Sequence, residues 1–162
     1  MFRQMRRKKQ QLEEARCVEI LKKASSGVLA VLGEGGYPYA VPLSFVYEEG
    51  KIYFHSAKNG HKLDAIAREN KASFCVIAQD DIVPEEYTSY FASVIAFGRM
   101  RVLEEEQEKW QAIEKLAKKY APLDSKEGRD RAILKDYKPL LMLEMRIEHM
   151  TGKQSIELVK AD

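Results

Sequence analysis

The chain has 162 residues, 45% of them hydrophobic and 32% charged, with a formal net charge of +2. This length and composition describe one ordinary globular domain, expected over residues 1–162, with a core large enough to hold without staples. So small a net charge creates no overall field for nucleic acid or a membrane surface, and neither is an expected partner.

Arg3, Arg6, Arg7, Lys8 and Lys9 precede the first acid, Glu13, and read as a basic arm over residues 1–11 in front of a helix. No apolar run follows them, and no stretch of about 18 apolar residues occurs anywhere, so neither a signal peptide nor a membrane span is expected. The expected compartment is the cytoplasm. Residues 12–24 fit an amphipathic helix with Cys17, Ile20, Leu21 and Ala24 on one face, closed by Ser25, Ser26 and Gly27. A short apolar strand over 27–33 follows and turns at the glycine-rich stretch 33–36.

The next strand, 37–47, alternates. Tyr37, Tyr39, Val41, Leu43, Phe45 and Tyr47 form a bulky face, and Pro38, Ala40, Pro42, Ser44 and Val46 a mostly small one. Its prolines remove ladder donors and imply an edge, a bulge or a bend. The small face is either a bed for a flat ligand or the tapering edge of a barrel. After a turn at 48–51 comes KIYFHSAKNGHKLDAIAREN, residues 51–70, a strand running through a polar loop into a helix. It gathers His55, Ser56, Lys58, Asn59, His61 and Lys62. A helix opening at Asn59-Gly60-His61-Lys62 brings free amides, the positive end of the helix dipole and a lysine to one point, as phosphate sites do. The competing reading is a solvated strand–helix junction.

A buried strand over 71–78, an acidic loop over 79–89 containing Pro84, and a long strand over 90–103 come next, with Gly98 marking a bulge or close approach. A helix over 104–120 turns Trp110, Ile113, Leu116, Ala117 and Tyr120 inward. A short helix over 126–135, a last strand over 139–150 and a short strand or tail complete the chain. His149 on that strand and the aromatics Tyr37, Tyr39 and Phe91 read as structural, core or interface residues. Cys17 and Cys75 read as small core residues, with no disulfide or zinc site. GxGxxG, P-loop, GxSxG and HExxH signatures do not occur. The sum is a mainly β (α+β) chain of six antiparallel strands in a barrel or curled sheet with flanking helices.

The stretches MRRKKQ, GVLAVLGEGGYPYAVPLSFVY, IYFHSAKNGHKLDAI, SFCVIAQDDIVPEEYTSYFASVIAFGRMRVLEEEQEKWQAIEKLAKKYAP and HMTGK, taken together, resemble the FMN-binding split β-barrel family related to pyridoxamine 5′-phosphate oxidase. Within it they resemble the Nim-type flavoproteins of 5-nitroimidazole resistance. The resemblance implies a six-stranded antiparallel split β-barrel forming a homodimer with FMN at the interface. It implies that Tyr39, Ala40, Val41 and Pro42 run along the flavin ring, and that His55 and Ser56 lie near ring and ribityl chain. His61 and Lys62 would hold the phosphate, and Ser93 and Val94 would come from the long strand of the partner subunit or its rim.

The activity so implied is an FMN-dependent reductase passing electrons from NADH or NADPH to a small aromatic or nitro-bearing acceptor. His55 is then either the proton donor or only a flavin contact. The alternative is a flavin or haem binding or sensing protein of the same fold without turnover. Ala92 stands where relatives often carry a basic residue, and the end SIELVKAD lacks the oxidase's tryptophan and arginine, which points away from oxidation of pyridoxamine phosphate.

Overall fold

The computed structural model describes residues 1–159; the last three residues of the expected 1–162 domain and of its tail lie outside the described residues. In chain order the elements are β1 (Gln11–Leu12), α1 (Glu14–Lys23), β2 (Ser26–Leu32), β3 (Pro38–Ser44), β4 (Val46–Glu48) and β5 (Lys51–Ala57). Then follow α2 (His61–Arg68), β6 (Lys71–Val83), β7 (Thr88–Val102), α3 (Glu106–Tyr120), α4 (Lys126–Asp136), β8 (Leu140–Gln154) and α5 (Ile156–Val159). All the strands join one sheet in the order β3-β2-β6-β7-β8-β5-β4, with β1 paired to β8. Every pairing is antiparallel.

Among the described residues the sheet has eight strands rather than six. One extra strand is the short β1, which finds room beside the far end of β8. The other comes from the interruption of the strand expected over 37–47 at Phe45. There the backbone leaves the ladder because side chains of α3 satisfy it: Phe45 N–H donates to Tyr120 Oη at 2.9 Å, and Lys119 Nζ donates to Phe45 O at 2.9 Å. The two fragments, β3 and β4, end up at opposite edges of the sheet. The loop expected over 79–89 is instead the far end of a hairpin, with β6 running to Val83 and β7 starting at Thr88. Beyond Ala92 and Gln154 β8 no longer accompanies this hairpin, so both faces are wet and its acidic side chains carry no inside–outside alternation.

Residues facing the barrel interior, among them Leu29, Phe45, Ile52, Phe54, Phe74, Val94 and Met145, are fully buried, and α1 and α2 close the barrel with Ile20, Leu21, Ala65 and Ile66. Phe45 and Phe54 each meet Phe74 edge-on, at 4.8 and 5.1 Å between centroids, the geometry aromatic quadrupoles favour. A smaller cluster of Tyr53, Leu103, Ala112 and Met142 lies beneath α3. Of the face expected to turn inward on α3, Leu116 is buried, Trp110, Ile113 and Ala117 are half-buried and Tyr120 is exposed, and the buried line runs through Lys109, Ala112 and Leu116; α4 packs alongside, and Trp110 meets Tyr137 edge-on at 5.6 Å. Gly98 sits at the register shift between β7 and β8, where a Cβ would collide with the carbonyl oxygen of Arg146. The basic arm lies back along the sheet, Phe2 stacking on His149 at 4.6 Å.

The outer face of the sheet is notably apolar. Pro42, Val28, Cys75 and Ile95 follow one another across β3, β2, β6 and β7, and Val28, Ile77 and Ile95 are exposed there.

Candidate functional site

β3 is an edge strand whose side chains alternate between half-buried and exposed. Tyr39, Val41 and Leu43 pack against the core, while Pro38, Ala40, Pro42 and Ser44 face out. The small face therefore lies on the surface, with only Ala40 and Pro42 of the four expected β3 contacts presenting side chains outward.

The opening of α2 lies against this hairpin. The His61 ring packs on Tyr39 at 4.1 Å between centroids. Gly33 makes the seat: a Cβ there would come within 3.2 Å of His61 Nε2 and 2.7 Å of the Tyr37 carbonyl oxygen. Gly60, at φ 129, supplies a backbone turn open to glycine and not to other residues. The amides of Leu63 and Asp64 donate back to Gly60 O at 2.9 and 3.2 Å, so those of His61 and Lys62 stand ahead of the helical ladder. Lys62 is half-buried, burial lowers its pKa, and among the described residues it forms no ion pair. A partly desolvated ammonium without a carboxylate, next to a helix N-terminus, is a donor set suited to an anion.

On β5 the alternation separates the other two expected contacts. Ser56 faces inward and is buried, whereas His55 points to the other side. Partial desolvation first, and then the charge of Lys62, hold the His55 imidazole below its ordinary pKa while its outer side stays open to solvent. Its resting state near neutrality is uncharged, and its protonated form is a stronger acid than free imidazolium. Ser93 and Val94 lie on β7, two strands from β5 across β8. The Val94 side chain is fully buried in the core, which leaves only its backbone for any ligand; Ser93 is partly exposed on the opposite face. Within one chain, then, Tyr39 meets His61 and Lys62 acts on His55, while Ser93 and Val94 stand apart from them.

His55 also borders a cavity of about 480 Å³ between β5 and the pair α3–α4, shared with Ser44 and walled by Ile113, Leu116, Ile133 and Leu140. Sequence reasoning missed this groove and the residues that fix its wall. Lys119 donates to Ala24 O at 2.5 Å and lies over the Phe45 ring at 4.0 Å. Tyr120 Oη accepts from Phe45 N–H and donates to the carbonyl of Ser25. The two residues are neighbours in sequence, so helical periodicity gives no sign that both turn toward the break in the strand.

An open-edged antiparallel barrel with helices over its ends, and a helix start beside its outward strand, defines a split-barrel protein. Residues 13–154 match the family model described as Pyridoxamine 5'-phosphate oxidase. The chain belongs to that family. No curated protein matches its sequence. Among solved structures, it resembles a candidate 5-nitroimidazole antibiotic resistance protein of Bacteroides thetaiotaomicron, at 21% identity over 89% of this chain and 86% of that one, with a TM-score of 0.75. A conserved hypothetical protein of Mycobacterium tuberculosis superposes with a TM-score of 0.81 at 15% identity, covering 96% of this chain and 92% of the other. An FAD and heme binding protein of Mycobacterium smegmatis superposes with a TM-score of 0.70 at 18% identity, covering 94% and 79%. At these identities the likeness is one of fold.

Proposed function

We propose that the protein is an FMN-dependent reductase that passes electrons from NADH or NADPH to a small aromatic or nitro-bearing acceptor. The observation that carries this is the half-buried Lys62, without an ion-pair partner among the described residues, beside the open helix start at His61 and set against the outward small face of β3. His61, Lys62 and their amides would hold the flavin phosphate, and Ala40 and Pro42 would leave room for the ring. Bound there, the flavin supplies two-electron redox chemistry. Lys62 keeps a positive charge near His55 and favours its neutral form, and His55 offers a ring N–H to a ligand or, once protonated, gives that proton up readily. Ser56, Val41 and Val94, turned inward or buried, shape the bed through their backbone.

A homodimer with flavin at the interface is part of the proposal. The apolar outer face through Val28, Ile77 and Ile95 supports it, since contiguous exposed apolar surface marks a place of association, and Ser93 lies on that side of β7. The FAD-binding fold relatives make FAD the natural competitor for FMN.

Absorbance of the purified protein and titration with FMN and FAD test this. Lys62→Ala removes one charge-assisted phosphate contact, of about 1.5–3 kcal/mol, and is expected to weaken FMN roughly 10- to 100-fold. A protein that stays colourless and ignores both flavins would overturn the reading. Bound flavin that no acceptor reoxidises after reduction would mark a binding or sensing role instead.

A further inference from the structure

The groove between β5 and α3–α4 takes no part in holding the phosphate, yet it adjoins the same site. Ser44 belongs both to the outward face of β3 and to the groove lining, and His55 forms the wall toward Lys62. We propose that this groove seats the electron acceptor and selects neutral or cationic aromatic molecules over anionic ones. That the ligand accepts electrons rests on the flavin reading above; the charge preference rests on the groove lining.

The volume of about 480 Å³ lies in the range of small-molecule sites, and walls of Ile113, Leu116, Ile133 and Leu140 give an aromatic body apolar contact on several sides. The polar lining is sparse and one-sided. Ser44 and the uncharged His55 can hydrogen-bond a nitro or carbonyl oxygen, the Tyr120 hydroxyl is already engaged by Phe45 and Ser25, and Asp136 is the charged residue of the lining. The cation that could have offset it, Lys119 on the adjoining turn of α3, is engaged elsewhere by the carbonyls of Ala24 and Phe45. A ligand carboxylate or phosphate in the groove would lose water and meet Asp136, while Lys62, whose charge reaches His55, lies on the phosphate side of that ring and outside the lining. A neutral ring avoids that cost, and an ammonium on the ring gains from Asp136.

Three ligands of nearly equal shape separate these cases: para-nitrotoluene, para-nitrobenzylammonium and para-nitrobenzoate. Calorimetry without nicotinamide, on the intact protein with and without FMN, measures their affinities for wild type, Asp136→Lys and Ala132→Phe. Both substituted residues are exposed members of α4, and Ala132 lines the groove, so the added ring enters the groove rather than the core. Wild type is expected to bind the neutral and cationic ligands about tenfold or more tightly than the benzoate, and Asp136→Lys to reverse that order. Ala132→Phe is expected to weaken all of the wild-type ligands about tenfold while FMN affinity changes less than about twofold. Equal affinity across the charge series in wild type, or ligand binding untouched by Ala132→Phe, would overturn the proposal. Loss of FMN in Ala132→Phe would also overturn it, because the flavin itself would then occupy the groove. Failure of the flavin reading shows separately, as absence of FMN binding in wild type while the nitro series still reports on the groove.

Discussion

The hydroxyl of Tyr120 offers a sharp test of how the strand break is held. In Tyr120→Phe the ring stays and only the oxygen is lost, so packing changes little and the hydrogen bonds change fully. Phe45 N–H loses the acceptor it reaches at 2.9 Å, and the Ser25 carbonyl loses its donor. Phe45 is fully buried, and an unpaired buried amide costs about 1–3 kcal/mol. Tyr120 itself is 43% exposed, so water can reach part of the vacated space and the lower half of that range, about 1–2 kcal/mol, is expected. With a urea slope of about 2 kcal/mol per M, the middle of the usual range, the unfolding midpoint should fall by roughly 0.5–1 M. Fluorescence of Trp110, the only tryptophan, reports the transition at fixed protein concentration, which matters if the chain associates. A midpoint within about 0.2 M of wild type, with the slope unchanged, would show that water or the ladder satisfies Phe45 without Tyr120.

Two further outcomes follow from the geometry. Gly98→Ala forces a Cβ into the Arg146 carbonyl and to 3.1 Å from Ile147 Cα; both are backbone, so the β7–β8 bulge must shift, and a loss of about 2 kcal/mol or more is expected in the same urea assay. An unchanged midpoint would mean that the bulge slides freely. His55 has a folded pKa below its ordinary 6.5. Between those values the unfolded chain binds more protons, so the contribution of His55 to stability is complete above 6.5 and is lost as pH falls through the folded pKa. An NMR titration of the His55 ring should show this depressed midpoint, and Lys62→Ala should move it upward by removing one of its causes. A midpoint that ignores Lys62→Ala would refute the coupling between the two residues.

Much of the barrel was legible because its strands obey simple periodicities. Pro38, Ala40, Pro42 and Ser44 share one face as the alternation of 37–47 required, and the start of α2 at His61 follows the Asn-Gly signal before it. What was hidden lies where tertiary contacts override local pattern. The strand ends at Phe45 because Lys119 and Tyr120, far along the chain, replace its ladder bonds. The hairpin through Asp80 and Asp81 reads as a loop because strand pairing there is sustained without a buried face. Of the site, the meeting of Tyr39 with His61 and the action of Lys62 on His55 join residues singled out in the sequence. The groove was not legible, since Ser44, His55, Ile133 and Asp136 come from three separate parts of the chain.

The break at Phe45 also determines how the barrel is closed. Because β3 and β4 lie at opposite ends of the strand order and are consecutive in the chain, the rim of the sheet is joined there by a peptide link rather than by a ladder. The sheet is a belt whose buckle is one buried phenylalanine. Cleaving the chain between Ser44 and Val46 would leave every strand pairing in place while freeing the two edges to swing apart. Ser44 borders the buckle and also lines the groove, so the grip of Lys119 and Tyr120 on the Phe45 backbone anchors the closing link of the barrel and one wall of the groove at the same point.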